Sequence, residues 1–275
     1  DESVFAEMES SPSSVPEESL SESDARLFKK ATMEMERAFI QVMAGGALPL
    51  LEIRSWLKPL LERFDSSTGW LFSFQENSIT HYRSHHALGT ALIAVGIARG
   101  SKIPEREWMQ IALAGLLSNI GMVKISPSIL QKKGPLTKEE WSEVYRHPIV
   151  GYEILKNVKG LTDGVLKAVL QHHERLDGKG YPLGLTAEKI HPYAKIVAIA
   201  DVLHAVASNR SYREAQSPFR FLEEMRLNMT HQFDAGYIHG LMQSLLQLPL
   251  GTPVLLSDGR VAKILYFNPT SPLRP

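Results

Sequence analysis

The sequence contains no cysteine, which excludes disulfides, thiolate nucleophiles and cysteine-based zinc sites. This absence fits a reducing compartment, and we expect the protein to be cytoplasmic. An excess of one charge is also lacking, because 30 basic residues balance 30 acidic ones. No overall field therefore draws the chain to a nucleic acid polymer or to an anionic membrane. The apolar runs are too short to span a bilayer, and no signal-peptide pattern is present.

The chain is long enough to bury a large core, and its periodicity predicts a mainly helical protein. We predict helices over residues 25–44, 48–64, 78–99, 104–117, 137–147, 149–158, 161–173, 218–228 and 235–246, and the segment 187–208 contains a further long apolar helix around 197–203. Asp258-Gly259 between β-prone runs predicts a hairpin near the end of the chain. Residues 1–24 are acidic, carry no Lys or Arg, and read as a disordered leader. Since the chain begins at Asp1 rather than methionine, we expect a fragment of a longer protein.

Five metal-ligating side chains lie at the ends of predicted helices or inside apolar ones. They are His86, His147, His172, His173 and Asp201. In a helical fold such positions can converge on one pocket, and a cluster of imidazoles and a carboxylate suits iron, manganese, nickel or zinc. A carboxylate in an apolar helix needs a partner, which is either a cation or a neighbouring His or Arg. Each histidine taken alone is equally explained as a hydrogen-bonded core residue.

These residues belong to motifs that together resemble the HD-GYP domains, a branch of the metal-dependent HD phosphohydrolases. The motifs occur in the family's order: His86, the segment 114–121, His147-Pro148 with Gly151, His172-His173-Glu174 followed by Gly180-Tyr181-Pro182, Asp201, and Arg210 to Arg213. The match covers roughly half of the chain. The resemblance implies an all-α HD-domain bundle over 76–248, with a helical N-terminal region over 25–75 and a β-hairpin tail over 249–275.

HD-GYP domains with the full motif hydrolyse cyclic di-GMP, a bacterial messenger, with two or three bound metals. The resemblance therefore makes cyclic di-GMP the expected ligand and a divalent cation, iron or manganese, the expected cofactor. It makes the five residues named above the metal ligands. It assigns Arg210 and Arg213 to phosphate contacts, for which guanidinium geometry is suited, and Tyr181 to the pocket mouth. A solvated basic turn and a packing aromatic explain these last three residues equally well.

The sequence departs from the family where the name-giving His-Asp pair should stand. Ser118 and Asn119 occupy these catalytic positions, and Met122 replaces a lysine that supports the phosphate. His204 replaces a common aspartate, and Tyr82 stands where three-metal members carry a glutamate. Since changes even behind the metal ligands cost roughly 10- to 100-fold in affinity or activity, we expect at most one well-held metal and little or no hydrolysis.

Three functions remain open at this point. The first is a regulatory module that binds cyclic di-GMP or docks a protein such as a diguanylate cyclase (GGDEF) domain. The second is a phosphodiesterase that works with the five remaining ligands. The third is a structural domain that serves a partner outside this chain.

Overall fold

The computed structural model describes residues 22–63, 82–130, 132, 134–208, 218–245, 253–255, 260–263 and 265–266. Eleven α-helices and two short strands make up the regular structure of these residues. They are α1 (Glu22–Met43), α2 (Leu50–Arg63), α3 (Tyr82–Gly100), α4 (Glu105–Leu117), α5 (Pro127–Leu130), α6 (Lys138–Val144), α7 (His147–Leu155), α8 (Asp163–Gln171), α9 (Pro192–Ala207), α10 (Pro218–Asn228), α11 (Ala235–Leu245), β1 (Pro253–Leu255) and β2 (Val261–Lys263). A 3₁₀-helix over Ile120–Lys124 follows α4. The all-α class predicted from the sequence is confirmed.

Helix α3 is the centre of the bundle, because it packs against α1, α4, α9 and α11. It is buried along nearly its whole length, which explains why its sequence is apolar on every side rather than on one stripe. Helix α4 is buried from Ile111 to Leu117, as its continuous apolar run predicted. Helix α9 completes this layer, and its inner face carries Asp201. Two of the candidate ligands, His86 on α3 and Asp201 on α9, therefore come from neighbouring core helices.

Most helix boundaries follow the sequence, and the start of α1 differs for an identifiable reason. Helix α1 begins at Glu22, inside the predicted leader, because its acidic first residues favour a helix N-terminus. Helix α9 begins at Pro192, within the segment 187–208 that was expected to contain an apolar helix. Pro192 suits the first helical turn, and the side chain of His191 caps it by accepting a hydrogen bond from the Tyr193 N–H (3.1 Å).

The predicted capping box at the start of α6 is confirmed. The Thr137 side chain accepts from the Glu140 backbone N–H, and the Glu140 carboxylate accepts from the Thr137 backbone N–H. The C-terminal ribbon is also present, with β1 and β2 antiparallel and Val254 opposite Ala262. The turn predicted around Asp258-Gly259 lies outside the described residues. None of the described helices combines the length and the apolar character that crossing a membrane requires.

A close approach of two backbones fixes α7 against the 3₁₀-helix. A Cβ atom at Gly121 would lie 2.0 Å from the His147 carbonyl oxygen and 2.7 Å from the Gly151 nitrogen. Any larger residue would therefore push α7 away. Since α7 begins at His147, these two glycines set the position of one candidate ligand.

Candidate functional site

The loop after α8 is held in place by its own buried glutamate. The Glu174 carboxylate accepts hydrogen bonds from the backbone N–H groups of Leu183 (2.6 Å) and Leu185 (2.8 Å). The Tyr181 N–H donates to the His173 carbonyl (3.2 Å). Gly180 lies so close to this turn that a Cβ would be 2.4 Å from the Glu174 Cα. The Gly-Tyr-Pro segment is therefore folded back over the two histidines that precede it.

Three histidines meet beneath this loop. One ligand atom from each of His147, His172 and His173 lies within 4.8 Å of the others, a group that could hold a metal ion. His147 starts α7 and His172 caps the end of α8, so the helix termini bring the imidazoles together. The Nε2 atoms of His147 and His172 are 3.2 Å apart.

Backbone carbonyls determine which ring nitrogens of this triad carry protons. The Nδ1 of His147 lies 2.7 Å from the Val144 oxygen, and the Nδ1 of His172 lies 2.8 Å from the Val169 oxygen. Since a carbonyl only accepts, both Nδ1 atoms must donate. Burial lowers the pKa of His147, and burial followed by the effect of His147 lowers the pKa of His172 to about 3. Both rings are therefore neutral near pH 7, and both Nε2 atoms present lone pairs.

This arrangement suits a single cation. Two lone pairs facing each other at 3.2 Å repel, and the lowered pKa values oppose a proton shared between them. Two imidazoles on one metal at about 2.0–2.1 Å each, with angles between octahedral and tetrahedral, would have their nitrogens about 2.9–3.4 Å apart. Burial, and then the effect of His172, hold the pKa of His173 well below its usual value, so this third ring is neutral as well.

The other two predicted ligands lie in a second, adjacent group. His86 Nε2 is 2.9 Å from Asp201 Oδ1, and the Asn119 amide donates to the same oxygen at 2.7 Å. Burial alone would raise the pKa of Asp201, but the hydrogen bond from His86 and the nearby imidazoles hold this pKa well below its usual value. The carboxylate is therefore ionised, and it can only accept hydrogen bonds. This requirement makes Asn119 present its nitrogen, not its oxygen, to Asp201.

Neighbouring side chains extend this network away from the triad. The Ser118 hydroxyl donates to the Gly115 carbonyl (2.9 Å) and accepts weakly from the Asn119 amide (3.3 Å). His86 Nδ1 is 3.0 Å from His204 Nδ1, which in turn is 3.1 Å from the Ser208 hydroxyl. The described contacts thus hold His86 by hydrogen bonds at both ring nitrogens.

This second group does not fit a cation as it stands. Asn119 directs N–H hydrogens at Asp201, and His86 uses its Nε2 proton for the same carboxylate. A cation bound to Asp201 Oδ1 would have to displace both donors, and it would gain only a neutral amide oxygen from Asn119. The partner that the buried carboxylate requires is therefore supplied by protein N–H groups.

The structure thus divides the five predicted ligands into a triad and a hydrogen-bonded pair. The charge of Asp201 still raises the pKa values of the three triad histidines against the effect of burial, so the two groups are electrostatic neighbours. The ring of Tyr181, which the resemblance assigned to the pocket mouth, stacks on His173 at 4.6 Å between centroids, and its role there stays a prediction. Arg210 and Arg213 lie outside the described residues.

Sequence reasoning did not identify two aromatic residues beside the loop. Tyr145 lies 4.5 Å from Tyr181 between ring centroids, and Trp141 lies 5.5 Å from Tyr145. Trp141 lies on α6 and Tyr145 caps its C-terminus, and their spacing of four residues signals a shared helix face. Nothing in the sequence places that face beside Tyr181.

Comparison with known proteins agrees with this architecture. The family model described as "HD domain" matches residues 71–236, which is more than half of the chain. A cyclic di-GMP phosphodiesterase of Pseudomonas aeruginosa is 32% identical over 194 residues, covering 70% of this chain and 47% of that protein. The cyclic di-GMP phosphodiesterase response regulator RpfG of Xanthomonas campestris is 36% identical over 168 residues, covering 60% of this chain and 43% of the relative. The chain thus spans less than half the length of these two relatives.

One further relative is named for a different substrate, and one solved structure matches in fold. The 3'3'-cGAMP-specific phosphodiesterase 2 of Vibrio cholerae is 33% identical over 159 residues, covering 58% of this chain and 30% of that protein. Among solved structures, the HDG"Y"P protein Bd1817 of Bdellovibrio bacteriovorus matches with a TM-score of 0.66 and 15% identity, covering 79% of this chain and 70% of that one. The chain belongs to the HD domain family, in the HD-GYP branch that its motifs from His86 to Pro182 indicated.

Proposed function

We propose that this chain is a regulatory HD-GYP module in cyclic di-GMP signalling. It binds cyclic di-GMP at the pocket below the Gly-Tyr-Pro loop, holds at most one divalent cation, and hydrolyses the nucleotide slowly or not at all. The cation is iron or manganese, bound by His147, His172 and His173. Ser118 and Asn119 stand at the catalytic positions without performing their task. Arg210 and Arg213 contact the phosphates of the ligand.

One observation carries this proposal: the Asn119 amide donates to Asp201. A cation in a hydrolytic site acidifies a water molecule and clamps the phosphoryl oxygens, and paired cations clamp the attacking and leaving oxygens together. Asn119 supplies hydrogens where such a pair needs a shared anionic ligand. The triad, in contrast, keeps neutral imidazoles with oriented lone pairs. The site therefore keeps three groups that suit one cation, but it lacks the anionic ligand that a pair of cations would share.

A phosphodiesterase is the second candidate function. The observation in its favour is the triad itself, because its carbonyl-oriented imidazoles are what a metal requires. A weak hydrolase would act on cyclic di-GMP or on 3'3'-cGAMP, the substrates in the names of the relatives. With either function, the regulatory module or the phosphodiesterase, the Gly-Tyr-Pro loop is the docking site for a protein partner such as a GGDEF domain.

Nucleotide binding and turnover, measured on the same manganese-loaded preparation, test the proposal. We expect cyclic di-GMP to bind and to be recovered intact. The variant His172→Ala should lose the bound metal, whereas His239→Ala, at an exposed histidine on α11, should keep it. Rapid metal-dependent cleavage by the wild-type chain would establish the second candidate. Failure to bind the nucleotide at all would leave protein docking as the function of the domain.

A further inference from the structure

A continuous series of aromatic rings runs from the protein surface to the histidine triad. The centroid distances are 5.5 Å from Trp141 to Tyr145, 4.5 Å from Tyr145 to Tyr181, and 4.6 Å from Tyr181 to His173. The outer rings, Trp141 and Tyr145, are each 44% exposed, whereas Tyr181 and His173 are partly buried. The series therefore has an open end at the surface and a closed end at the candidate metal site.

Hydrogen bonds hold both supports of this series in place. Trp141 and Tyr145 are four residues apart on α6 and its C-terminal cap, so they face the same direction, and the capping box at Thr137 fixes the start of that helix. Tyr181 is held from the other side by the loop that Glu174 organises. The rings therefore come from two segments with separate hydrogen bonds, one at the start of α6 and one in the loop after α8.

The exposure of these rings has no explanation in the packing of the core. Large aromatic side chains are usually buried, and a group of them beside a polar pocket is typical of a binding surface. Aromatic rings stack on nucleic acid bases whatever the base, because every base presents a π-face. The distances between neighbouring rings, 4.5–5.5 Å, are in the range that such stacked and tilted contacts adopt.

We propose that the exposed rings of Trp141 and Tyr145 form a stacking platform for a purine base of a cyclic dinucleotide, with Tyr181 packed behind them between Tyr145 and His173. The phosphodiester of that nucleotide then lies at the triad, next to His173. This inference rests on the proposed function of the pocket and adds the residues that recognise the base. It gives the chain a source of affinity that does not depend on hydrolysis, which suits a module that binds the nucleotide without cleaving it.

The test compares affinities for cyclic di-GMP, inorganic phosphate and Mn²⁺ in full-length variants, measured by calorimetry. Trp141→Leu and Tyr145→Leu remove a ring, whereas Trp141→Phe and Tyr145→Phe keep one. Tyr266→Leu changes a tyrosine that is 67% exposed in the C-terminal region and serves as the matched control. Thermal unfolding of each variant reports any loss of structure.

We expect each leucine variant to lose on the order of 10-fold in affinity for cyclic di-GMP. The phenylalanine variants and the control should stay within about 2-fold of the wild type, because every base-stacking ring is retained. Affinity for phosphate and for Mn²⁺ should not change in any of them.

Two results would overturn the platform. Leucine variants that bind cyclic di-GMP as tightly as the wild type would make the rings a packing feature or a surface for a protein partner. Equal losses for nucleotide, phosphate and Mn²⁺ would mean that the rings only support the pocket. A wild-type chain that binds no cyclic di-GMP would instead overturn the proposed function, and with it the ligand assigned to the platform.

Discussion

Replacing Asn119 with aspartate should make the stability of the protein depend on a metal bound beside Asp201. The Asn119 amide nitrogen lies 2.7 Å from Asp201 Oδ1, so the substitution places a second carboxylate against an ionised one. Two unit charges about 4 Å apart repel by about 4 kcal/mol at an effective dielectric constant of about 20. Taking up a proton instead requires raising a carboxyl pKa from about 4 to about 7, which costs about 4 kcal/mol at about 1.4 kcal/mol per unit.

Whether the two carboxylates repel or one of them takes up a proton, Asn119→Asp should lose about 4 kcal/mol of folding stability when a chelator removes metal. At roughly 2–4 °C per kcal/mol, the melting temperature should fall on the order of 10 °C. Added Mn²⁺ gives the two carboxylates a shared cation and should restore several degrees, since ligand at 100 times its Kd stabilises by about 2.7 kcal/mol. Differential scanning calorimetry with chelator and with Mn²⁺ measures both effects.

Asn119→Ala is the matched control, because it removes the amide without adding a charge. It should lose about 1.5–3 kcal/mol, the range for a hydrogen bond to a charged group. Mn²⁺ bound at the triad should stabilise Asn119→Ala and the wild type alike, so this difference should persist. If Asn119→Asp and the wild type had the same melting temperature in chelator, the expected cost of a second carboxylate beside Asp201 would be refuted. If Mn²⁺ raised the melting temperatures of the aspartate and alanine variants by the same amount, the two carboxylates would not share a cation.

Three further predictions concern the framework of the site. Gly121→Ala places a methyl group against the His147 carbonyl, so it should lower both the melting temperature and Mn²⁺ affinity, whereas Gly134→Ala, with open space around it, should lower neither. Glu174→Ala leaves two backbone N–H groups without their acceptor and should cost about 1–3 kcal/mol per group in a denaturant titration. Burial, and then His86, lower the pKa of His85 to about 4, so the unfolded chain binds this proton at higher pH than the folded one. Stability in chelator should therefore fall as the pH drops from 6.5 to about 4, and His85→Leu should reduce the slope by about 1.4 kcal/mol per pH unit.

The sequence could predict the bundle because its signals are local. The apolar run from Ile111 to Leu117 predicts a buried helix, and the Thr137–Glu140 capping box predicts where α6 begins. His172 and His173 are adjacent in the chain, so their shared location needs no tertiary information.

The arrangement within the site depends on contacts between distant segments. Identity alone shows that Asn119 is neutral, but not that its nitrogen faces Asp201, since that choice follows from the ionised carboxylate on α9. The division of the five ligands into a triad and a pair has the same origin. Trp141 and Tyr145 were missed because a loop from elsewhere in the chain, the one carrying Tyr181, turns them into part of the site.

The most direct test of the account is the number of metal ions per chain, measured together with cyclic di-GMP turnover. The wild-type chain, purified without chelator and resupplied with iron or manganese, should hold at most one ion and leave the nucleotide intact. The double variant Ser118→His/Asn119→Asp, treated in the same way, should hold more metal than the wild type. Two ions per wild-type chain with steady cleavage of cyclic di-GMP would contradict the account, because a working second site would then exist despite the Asn119 amide.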